Sequence, residues 1–491
     1  MRKEELGTLA AVLLIITLLF ADVLFFGKSF CVRDIARLHV PERKVLRDII
    51  QAGEFPFWNR SYAGGQPFAA NPTAEVFYPP QYLVLLPSFL RGVNLELVLH
   101  FWLAATGMFL LLRDLRLRLA ACVFGALTLA LSSLFISMSS LVPFFFAMTW
   151  FPWLALFVRR FVHSGRLADF ALASLALELI LLVGEPVMIL EAGALVATYA
   201  AYRLRRMKAL PIAAAICADA LIAASVQIVP ALDLQRDTGR GTGMTFDVAA
   251  MWSMHPLRPL ELVFPNLFGF EMKYSTRLDA QQDLPWVFSW YCGLLAGVLI
   301  VAGFIHRVRG WKFVAGFAIV SYILAIGRYG GAFQLLYHAG LDFIRFPEKF
   351  FFAAAFLLIV FAAIAADRFL TDAAFRRTTF FVAIAILAID IAVLMFMKNR
   401  GATAMLATSV ALTLVLALRN NLRLCVPLLA IFVLADLAPR RSWLARAIPR
   451  MRYRNRLIVV FSLVSTLATL ALIGLVVDGF RSRAPQQPSQ R

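Results

Sequence analysis

The sequence predicts an all-α polytopic membrane protein with about 13 to 14 transmembrane helices, on the evidence of its composition and its apolar runs. Of its 491 residues, 61% are hydrophobic and only 16% are charged, whereas about a quarter of the residues are charged in soluble domains. Apolar runs of roughly 17–22 residues recur along the chain, and each can cross a hydrocarbon core about 30 Å thick.

The apolar runs divide the chain into successive predicted spans. They lie at 7–27, 94–112, 119–138, 141–158, 167–184, 186–202, 209–230, 287–306, 311–326, 349–366, 378–397, 402–418, 422–438 and 457–477. Strict alternation of sides would place the segment 440–456, with its seven arginines, outside. Either one late run does not cross, or this segment lies along the interface. The total and the side of the C-terminus therefore stay open.

The net charge of +19 comes largely from cations in short loops between apolar runs, such as 113–118, 159–166 and 203–208. This is the positive-inside pattern, and it predicts that these loops and the N-terminus are cytoplasmic. It favours a membrane protein over a nucleic-acid binder, so no nucleic-acid partner is expected.

Three long regions are predicted on the outer face, where function is expected because loops on a rigid scaffold commonly carry chemistry. They are 28–93, 231–286 and 327–348. The predicted organisation is a membrane core over 1–366, C-terminal transmembrane helices over 367–477 and a polar tail over 478–491.

The first outer loop has two parts. Apolar residues at Val45, Leu46, Ile49 and Ile50 predict a short helix lying on the membrane, which Gly53 would end. The segment FPFWNRSYAGGQPFAANPTAEVFYPPQYL (55–83) follows, and its prolines and glycines predict an irregular loop. Its aromatic rings are typical of an interfacial belt, which is the simplest interpretation of each ring taken alone.

The order D…P…GEFPFWN…GGQPFAANP…FYPPQYL resembles the first loop of bacterial YfhO-like membrane proteins, which belong to the C-type glycosyltransferase superfamily. The resemblance continues at GEP (184–186), at HPLRPLELVFPNLFG (255–269) and at FIRFPEKF (343–350). The last of these is similar to the Arg-x-Pro-x-basic signature of that family. Together the matches cover about 30–366.

The resemblance implies a C-type glycosyltransferase-like architecture, in which the outer loops form a cavity. It also implies a hexosyl- or pentosyltransferase in a bacterial inner membrane, with its active face outside. The implied partners are a polyprenyl-phosphate-linked sugar, membrane lipids and an acceptor in an envelope glycan, lipid or protein.

Such a transfer needs a carboxylate that takes a proton from the acceptor hydroxyl. Asp34, just after the first span, is the predicted base; the alternative is a salt bridge to Arg33 or Arg37. Glu185 lies at the outer end of a span, where an ionisable group is a functional candidate as a second carboxylate or acceptor contact. Its alternatives are a helix cap or a pair with an arginine.

The leaving phosphate needs cations. Arg345 offers bidentate donors and Lys349 a point charge, on either side of Pro347. For Arg345, the alternative is an interfacial cation that snorkels to lipid headgroups. His255 and Arg258 are further predicted substrate contacts.

The sugar would be held by the aromatic-rich segment of the first loop. The predicted hydrogen-bonding residues are Asn59, Gln66 and Asn71, and the predicted flat faces are Trp58 and Tyr78. No cofactor is expected; the alternative is a divalent ion held by Asp34 and Glu185.

Two other functions stay open. A transporter or flippase for a lipid-linked polymer would need functional charges midway along spans, for which Glu178, Glu191, Asp219 and Asp390 are the candidates. A non-catalytic accessory protein for envelope polysaccharide assembly would have the same fold with an inactive site.

Overall fold

The computed structural model describes residues 2–62, 64–204, 206–238, 243–264, 286–397 and 400–437. The predicted span 457–477, the arginine-rich segment 440–456, the tail 478–491 and the end of the HPLR motif at 265–269 lie outside the described residues.

The described part of the chain is almost entirely helical, which confirms the all-α class. The long helices are α1 (Lys3–Leu19), α4 (Phe89–Asp114), α5 (Leu119–Leu131), α7 (Val142–Ser164), α8 (Leu167–Val183), α9 (Pro186–Arg203), α10 (Arg206–Ala223), α11 (Ser225–Arg236), α13 (Leu294–Ile305), α14 (Trp311–Ala325), α16 (Phe352–Thr371), α17 (Ala373–Met397), α18 (Arg400–Ala417) and α19 (Leu422–Leu437). The shorter ones are α2 (Ala21–Leu24), α3 (Val40–Gln51), α6 (Ser133–Met138), α12 (Phe246–Ala249) and α15 (Gly331–His338).

Several of these helices can cross a membrane. Within the described ranges, four are both long and apolar enough: Phe89–Asp114, Leu119–Met138, Val142–Ser164 and Pro347–Thr371. A fifth candidate is the pair Leu210–Ala223 and Ser225–Arg236, which is bent by 75°. Shorter apolar helices accompany them at Leu294–Ile305, Trp311–Ala325 and Ala407–Ala417. The multi-pass class is confirmed, while the total of 13 to 14 spans stays a prediction.

The first loop forms the predicted helix, but the helix packs on protein rather than on lipid. Helix α3 ends where expected, before Gly53 with its φ of +78°. Leu46 is fully buried, whereas Lys44 and Asp48 on the opposite side are exposed. The predicted membrane-lying orientation is therefore corrected: α3 turns its apolar side toward the bundle, because α4 and the loop after α3 cover it.

The rest of the first loop is largely irregular, as predicted, with three small regular pieces. Strands β1 (Trp58–Asn59) and β2 (Gln66–Pro67) pair antiparallel. Short 3₁₀ helices follow at Pro72–Ala74 and Pro79–Leu85. Pro at the first turn of each suits this geometry, because Pro has no N–H to satisfy there.

Helix α13 begins seven residues later than its predicted start at 287. The reason is a tertiary contact, in which the carboxylate of Asp436 on α19 accepts the Leu294 backbone N–H at 2.9 Å. The Tyr291 hydroxyl donates to the same carboxylate at 2.6 Å. Gly293 between them has a φ of +108°, so the chain turns into the helix only at this point.

One end of the bundle, the cation face, is joined by ion pairs between helix ends. Arg113 at the end of α4 pairs with Glu5 of α1, and Arg118 before α5 pairs with Asp367 of α16 at 2.9 Å. Asp114 pairs with Arg160 of α7 at 3.0 Å. The loops whose cations predict the cytoplasmic side therefore do lie together.

The opposite end, the motif face, carries the beginnings of α4, α9 and α16 and the long loops. The Asn94 amide of α4 donates to the carbonyls of Val23 and Lys28 at 2.8 and 2.7 Å. Lys349 before α16 contacts Glu185 before α9. All the motif segments that fall within the described residues thus share one face of the protein.

The two faces should lie on opposite sides of a membrane. In a Cys31→Ser background, we expect Lys44→Cys on the motif face to react with a membrane-impermeant maleimide on intact cells. Arg166→Cys, exposed after α7, should react only after permeabilisation. Labelling of both positions from one side would contradict this topology.

Candidate functional site

Two predicted motifs meet through an ion pair. The Lys349 ammonium lies 2.9 Å from a carboxylate oxygen of Glu185, and their side chains are only 6% and 14% exposed. Glu185 is the residue before α9, and Lys349 lies in the turn Pro347–Phe351 that leads into α16. The GEP and FPEK motifs, 164 residues apart, are therefore in direct contact.

Aromatic rings enclose the Lys349 ammonium. It lies 4.6 Å from the centroid of Phe144, 5.2 Å from Trp286 and 5.1 Å from Phe346. Ring faces attract cations, by about 0.5–2 kcal/mol each depending on burial. This cage and Glu185 make Lys349 part of a built site.

Asp34 is connected to this cage through the residue that precedes it. The guanidinium of the preceding residue, Arg33, donates to the Trp286 carbonyl at 2.7 Å, and the Trp286 ring faces Lys349. Asp34 is half-buried and forms no ion pair with the described residues, so the predicted alternative of a salt bridge to Arg33 or Arg37 is not formed. Burial raises the pKa of its carboxyl, and the nearby Arg33 and Arg37 offset this only in part.

Arg258 belongs to the scaffold under the site, which corrects its prediction as a substrate contact. It is 4% exposed, and its guanidinium bonds Glu348 and lies 3.6 Å from Glu261. The Trp290 indole donates to the same Glu348 carboxylate at 2.7 Å. Burial raises the pKa of Glu261 to about 7, with Arg258 opposing the shift and Glu348 adding to it.

Arg345 and His255 lie in segments that flank the cage. The Arg345 guanidinium stacks 4.6 Å from the centroid of Phe346, a cage residue with a φ of +67°. The His255 ring accepts the Leu257 backbone N–H at 3.2 Å, and burial lowers its pKa. Both side chains keep part of their surface exposed.

Of the predicted sugar contacts, Trp58 offers the largest exposed surface, at 49%. A Cβ at Gly65 would lie 2.3 Å from the Trp58 indole nitrogen, so the backbone at this glycine packs closely against the ring. Gln66 is half-buried in β2. Asn59 is buried, and its side-chain oxygen accepts the Ser61 backbone N–H at 2.8 Å.

The other two predicted sugar contacts are occupied by protein groups. The Asn71 side chain caps the helix that follows, because its oxygen accepts the Thr73 backbone N–H at 3.1 Å. Tyr78 is fully buried, and its hydroxyl lies 2.6 Å from His100 and accepts the Trp150 indole N–H at 2.7 Å. The prediction that Tyr78 offers a flat face to a sugar is therefore corrected, since no face of the ring is open.

The aromatic-rich loop borders the ion pair. A Cβ at Gly184, which has a φ of +75°, would lie 2.4 Å from Pro72. The Gln227 amide of α11 donates to the Ala69 carbonyl at 3.2 Å. Residues 69–72 are thus held between α11 and the turn that presents Glu185.

The candidate mid-span carboxylates differ in their surroundings. Glu191 and Asp390 are buried, and each has a protein donor: the Ala353 backbone N–H at 3.1 Å and the Ser409 hydroxyl, respectively. Glu178 is half-buried and Asp219 is exposed. Among the described residues, no three His, Cys, Asp or Glu side chains are grouped to hold a metal ion.

Trp286 and Phe144 are central to the site, and sequence reasoning missed both. Phe144 falls within an apolar run, where a ring has no reason to be singled out. Trp286 stands at the very edge of a predicted span. Only its position between the outer loop and the FPEK motif could have indicated it, and that position depends on the fold.

The chain aligns with the crystal structure of ArnT from Cupriavidus metallidurans bound to undecaprenyl phosphate. The alignment covers 95% of this chain and 77% of that one, at 13% sequence identity and a TM-score of 0.41. No family model matches the chain, and no curated protein matches it. At this identity, the function has to be inferred from the site itself.

Arg258→Met should destabilise the protein by about 3–5 kcal/mol, because it leaves Glu348 and Glu261 buried without their cation. The matched control is Arg236→Met, which removes an exposed partner of Asp233 and should leave stability unchanged. Chemical unfolding in detergent micelles measures both. Equal stability of the two variants would show that Arg258 is not part of the scaffold.

Proposed function

We propose that the protein is a membrane glycosyltransferase of the C-type kind. It would move a sugar from a polyprenyl phosphate to an acceptor at the motif face. The observation that carries this proposal is that Arg33, the residue before Asp34, binds the carbonyl of Trp286, whose ring faces the enclosed cation Lys349. Acid–base work and phosphate stabilisation need such a combination.

The transfer forms a bond between the acceptor oxygen and the anomeric carbon of the sugar. The bond from that carbon to the phosphate oxygen breaks, its electron pair leaves with the polyprenyl phosphate, and the acceptor proton passes to Asp34. A half-buried carboxylate with a raised pKa is a stronger base than an exposed aspartate, which suits it to this step.

The leaving phosphate gains negative charge as the bond breaks, and Lys349 with Arg345 would stabilise it. A cation held by Glu185 and three rings is already oriented, so little reorganisation accompanies the reaction. Trp58, at the exposed edge of the neighbouring hairpin, would stack on the sugar. Glu185 then positions the cation, rather than serving as a second base.

An exposed aliphatic surface next to the site suits the polyprenyl chain. The bent pair α10–α11 exposes a series of aliphatic side chains: Leu221, Ile222, Val226, Val229 and Leu232. Gln227 of the same helix holds the first loop at Ala69. A long isoprenoid lying along this surface would therefore reach the loop that borders Glu185.

The finer assignments come from the resemblance to YfhO-like proteins. They are a bacterial inner membrane, an outward-facing site and an acceptor in an envelope glycan, lipid or protein. Glu191 and Asp390 each bond a protein donor, which favours structural roles over the translocation that a flippase needs. Turnover by the purified protein distinguishes a transferase from an accessory protein.

Asp34→Asn should lower kcat by about 10²–10⁴-fold, since the amide cannot accept the proton. Its melting temperature should stay equal or rise, because the variant no longer buries part of a carboxylate. The assay is sugar release from a panel of polyprenyl-phosphate sugars by protein in nanodiscs. Asp48→Asn, which changes an exposed residue of α3, is the control and should keep full activity. If Asp34→Asn is as active as this control, Asp34 is not the base.

Lys349→Met should abolish turnover and also destabilise the fold, because Glu185 loses its partner. Adding Glu185→Gln should restore the melting temperature without restoring turnover. The two readouts separate the structural role of the pair from the role of the cation on the phosphate. If the double variant recovers turnover, Lys349 has no part in the reaction.

A further inference from the structure

A second buried ion cluster joins the first outer loop to α4. The Arg43 guanidinium of α3 forms two bonds with Glu96 of α4, Nε to Oε2 at 2.7 Å and Nη2 to Oε1 at 2.8 Å. Arg43 is 2% exposed and Glu96 is 0% exposed. This bidentate geometry is the strongest arrangement of a guanidinium and an ionised carboxylate.

A second carboxyl group shares the same guanidinium. Glu75 accepts one bond from Arg43 Nη2 at 2.9 Å and is fully buried. Its other oxygen, Oε1, has no hydrogen-bond partner in the described structure. A third carboxyl group, Glu42, is adjacent to Arg43 in the chain and accepts a bond from the Thr73 hydroxyl at 3.1 Å.

Within the part of the chain that the structure describes, Arg43 is the one cation that pairs with Glu75 and Glu96. His39, the residue before α3, is buried, and burial together with Arg43 lowers its pKa. From α4, His100 is engaged by Tyr78, whose own pKa is raised by burial. The ammonium of Lys349 is already paired with Glu185, in the turn after α8.

One guanidinium therefore faces two fully buried carboxyl groups, Glu96 and Glu75. Two ionised carboxylates in such a site repel each other, and the usual outcome is that one of them keeps a proton. Glu96 makes both bonds expected of the ionised partner. Glu75 accepts only one bond from Arg43, and its other oxygen has no partner among the described residues. It is therefore the carboxyl group that is expected to keep the proton. In agreement, burial raises the pKa of Glu75 to about 8, with Glu96 and Glu42 adding to the shift and Arg43 opposing it.

We propose that Glu75 is a proton-binding site that keeps the first outer loop docked on α4. Release of this proton in mildly alkaline medium would leave an unneutralised buried charge and loosen the loop around Arg43. The consequence reaches Asp34, because Asp34 immediately precedes a continuous helical run formed by Ile35–His39 and α3. The proposal goes beyond the transfer reaction, and its test needs no substrate.

The sign of the pH effect follows from the direction of the shift. A carboxyl group with a raised pKa in the folded protein stabilises the fold fully below its ordinary pKa of 4.5. That stability is lost as the pH rises from there to about 8. In this window, the unfolding constant of the wild type should rise by about tenfold per pH unit from this one site.

The experiment measures unfolding in nanodiscs between pH 5.5 and 9 for the wild type, Glu75→Gln and Glu54→Gln. Glu54 is exposed in the same loop and pairs with Arg60, so Glu54→Gln is a matched control that should keep the wild-type slope. Glu75→Gln, which mimics the protonated acid, should fold. Its unfolding constant should rise less steeply with pH than that of the wild type. Glu96→Gln should be less stable at every pH, because it removes the ionised partner of Arg43.

Hydrogen exchange of the wild type gives a readout that needs no variant. After correction for the intrinsic rate, peptides within 40–85 should exchange faster at pH 8.5 than at pH 6.5, while peptides of α5 should not. The proposal is overturned if Glu75→Gln keeps the full wild-type slope, if it fails to fold, or if exchange of the loop is independent of pH.

Discussion

The architecture of the motif face depends on one constraint, which is that each buried cation must meet a carboxylate from a distant part of the chain. Arg43 meets Glu96, Arg258 meets Glu348, and Lys349 meets Glu185. An uncompensated charge in such surroundings costs several kcal/mol, so each pair holds its two segments in place. Together these pairs fasten the first loop, the HPLR segment and the FPEK turn to the helices below them.

Trp286 converts these separate attachments into one site. Its carbonyl binds the residue before Asp34, and its ring faces the ammonium of Lys349. Glu348, adjacent to Lys349, is fixed by Arg258 and Trp290. Glu348 and Lys349 are thus neighbours in sequence with different partners: Glu348 holds the turn through Arg258, and Lys349 pairs with Glu185 inside the aromatic cage.

Much of the fold was predictable because it follows from local patterns. Apolar runs indicate the helices, and the glycine after α3 ends that helix where expected. The start of α13 was not predictable, since it is decided by Asp436 on a helix more than 140 residues later. The same reason applies to Tyr78, because a tyrosine in a proline-rich loop suits an interface as well as a buried hydrogen-bonded ring.

The sequence by itself determined the all-α membrane class, the shared face of the cation loops and the residue types available for chemistry. Hydropathy and charge act over short stretches of chain, which is why these features can be read locally. Only the tertiary structure decided which ionisable groups pair with each other, as Arg258 does with Glu348, and which form no ion pair within the described residues, as is the case for Asp34. That choice depends on burial and on distances between remote segments, which spacing along a chain does not contain.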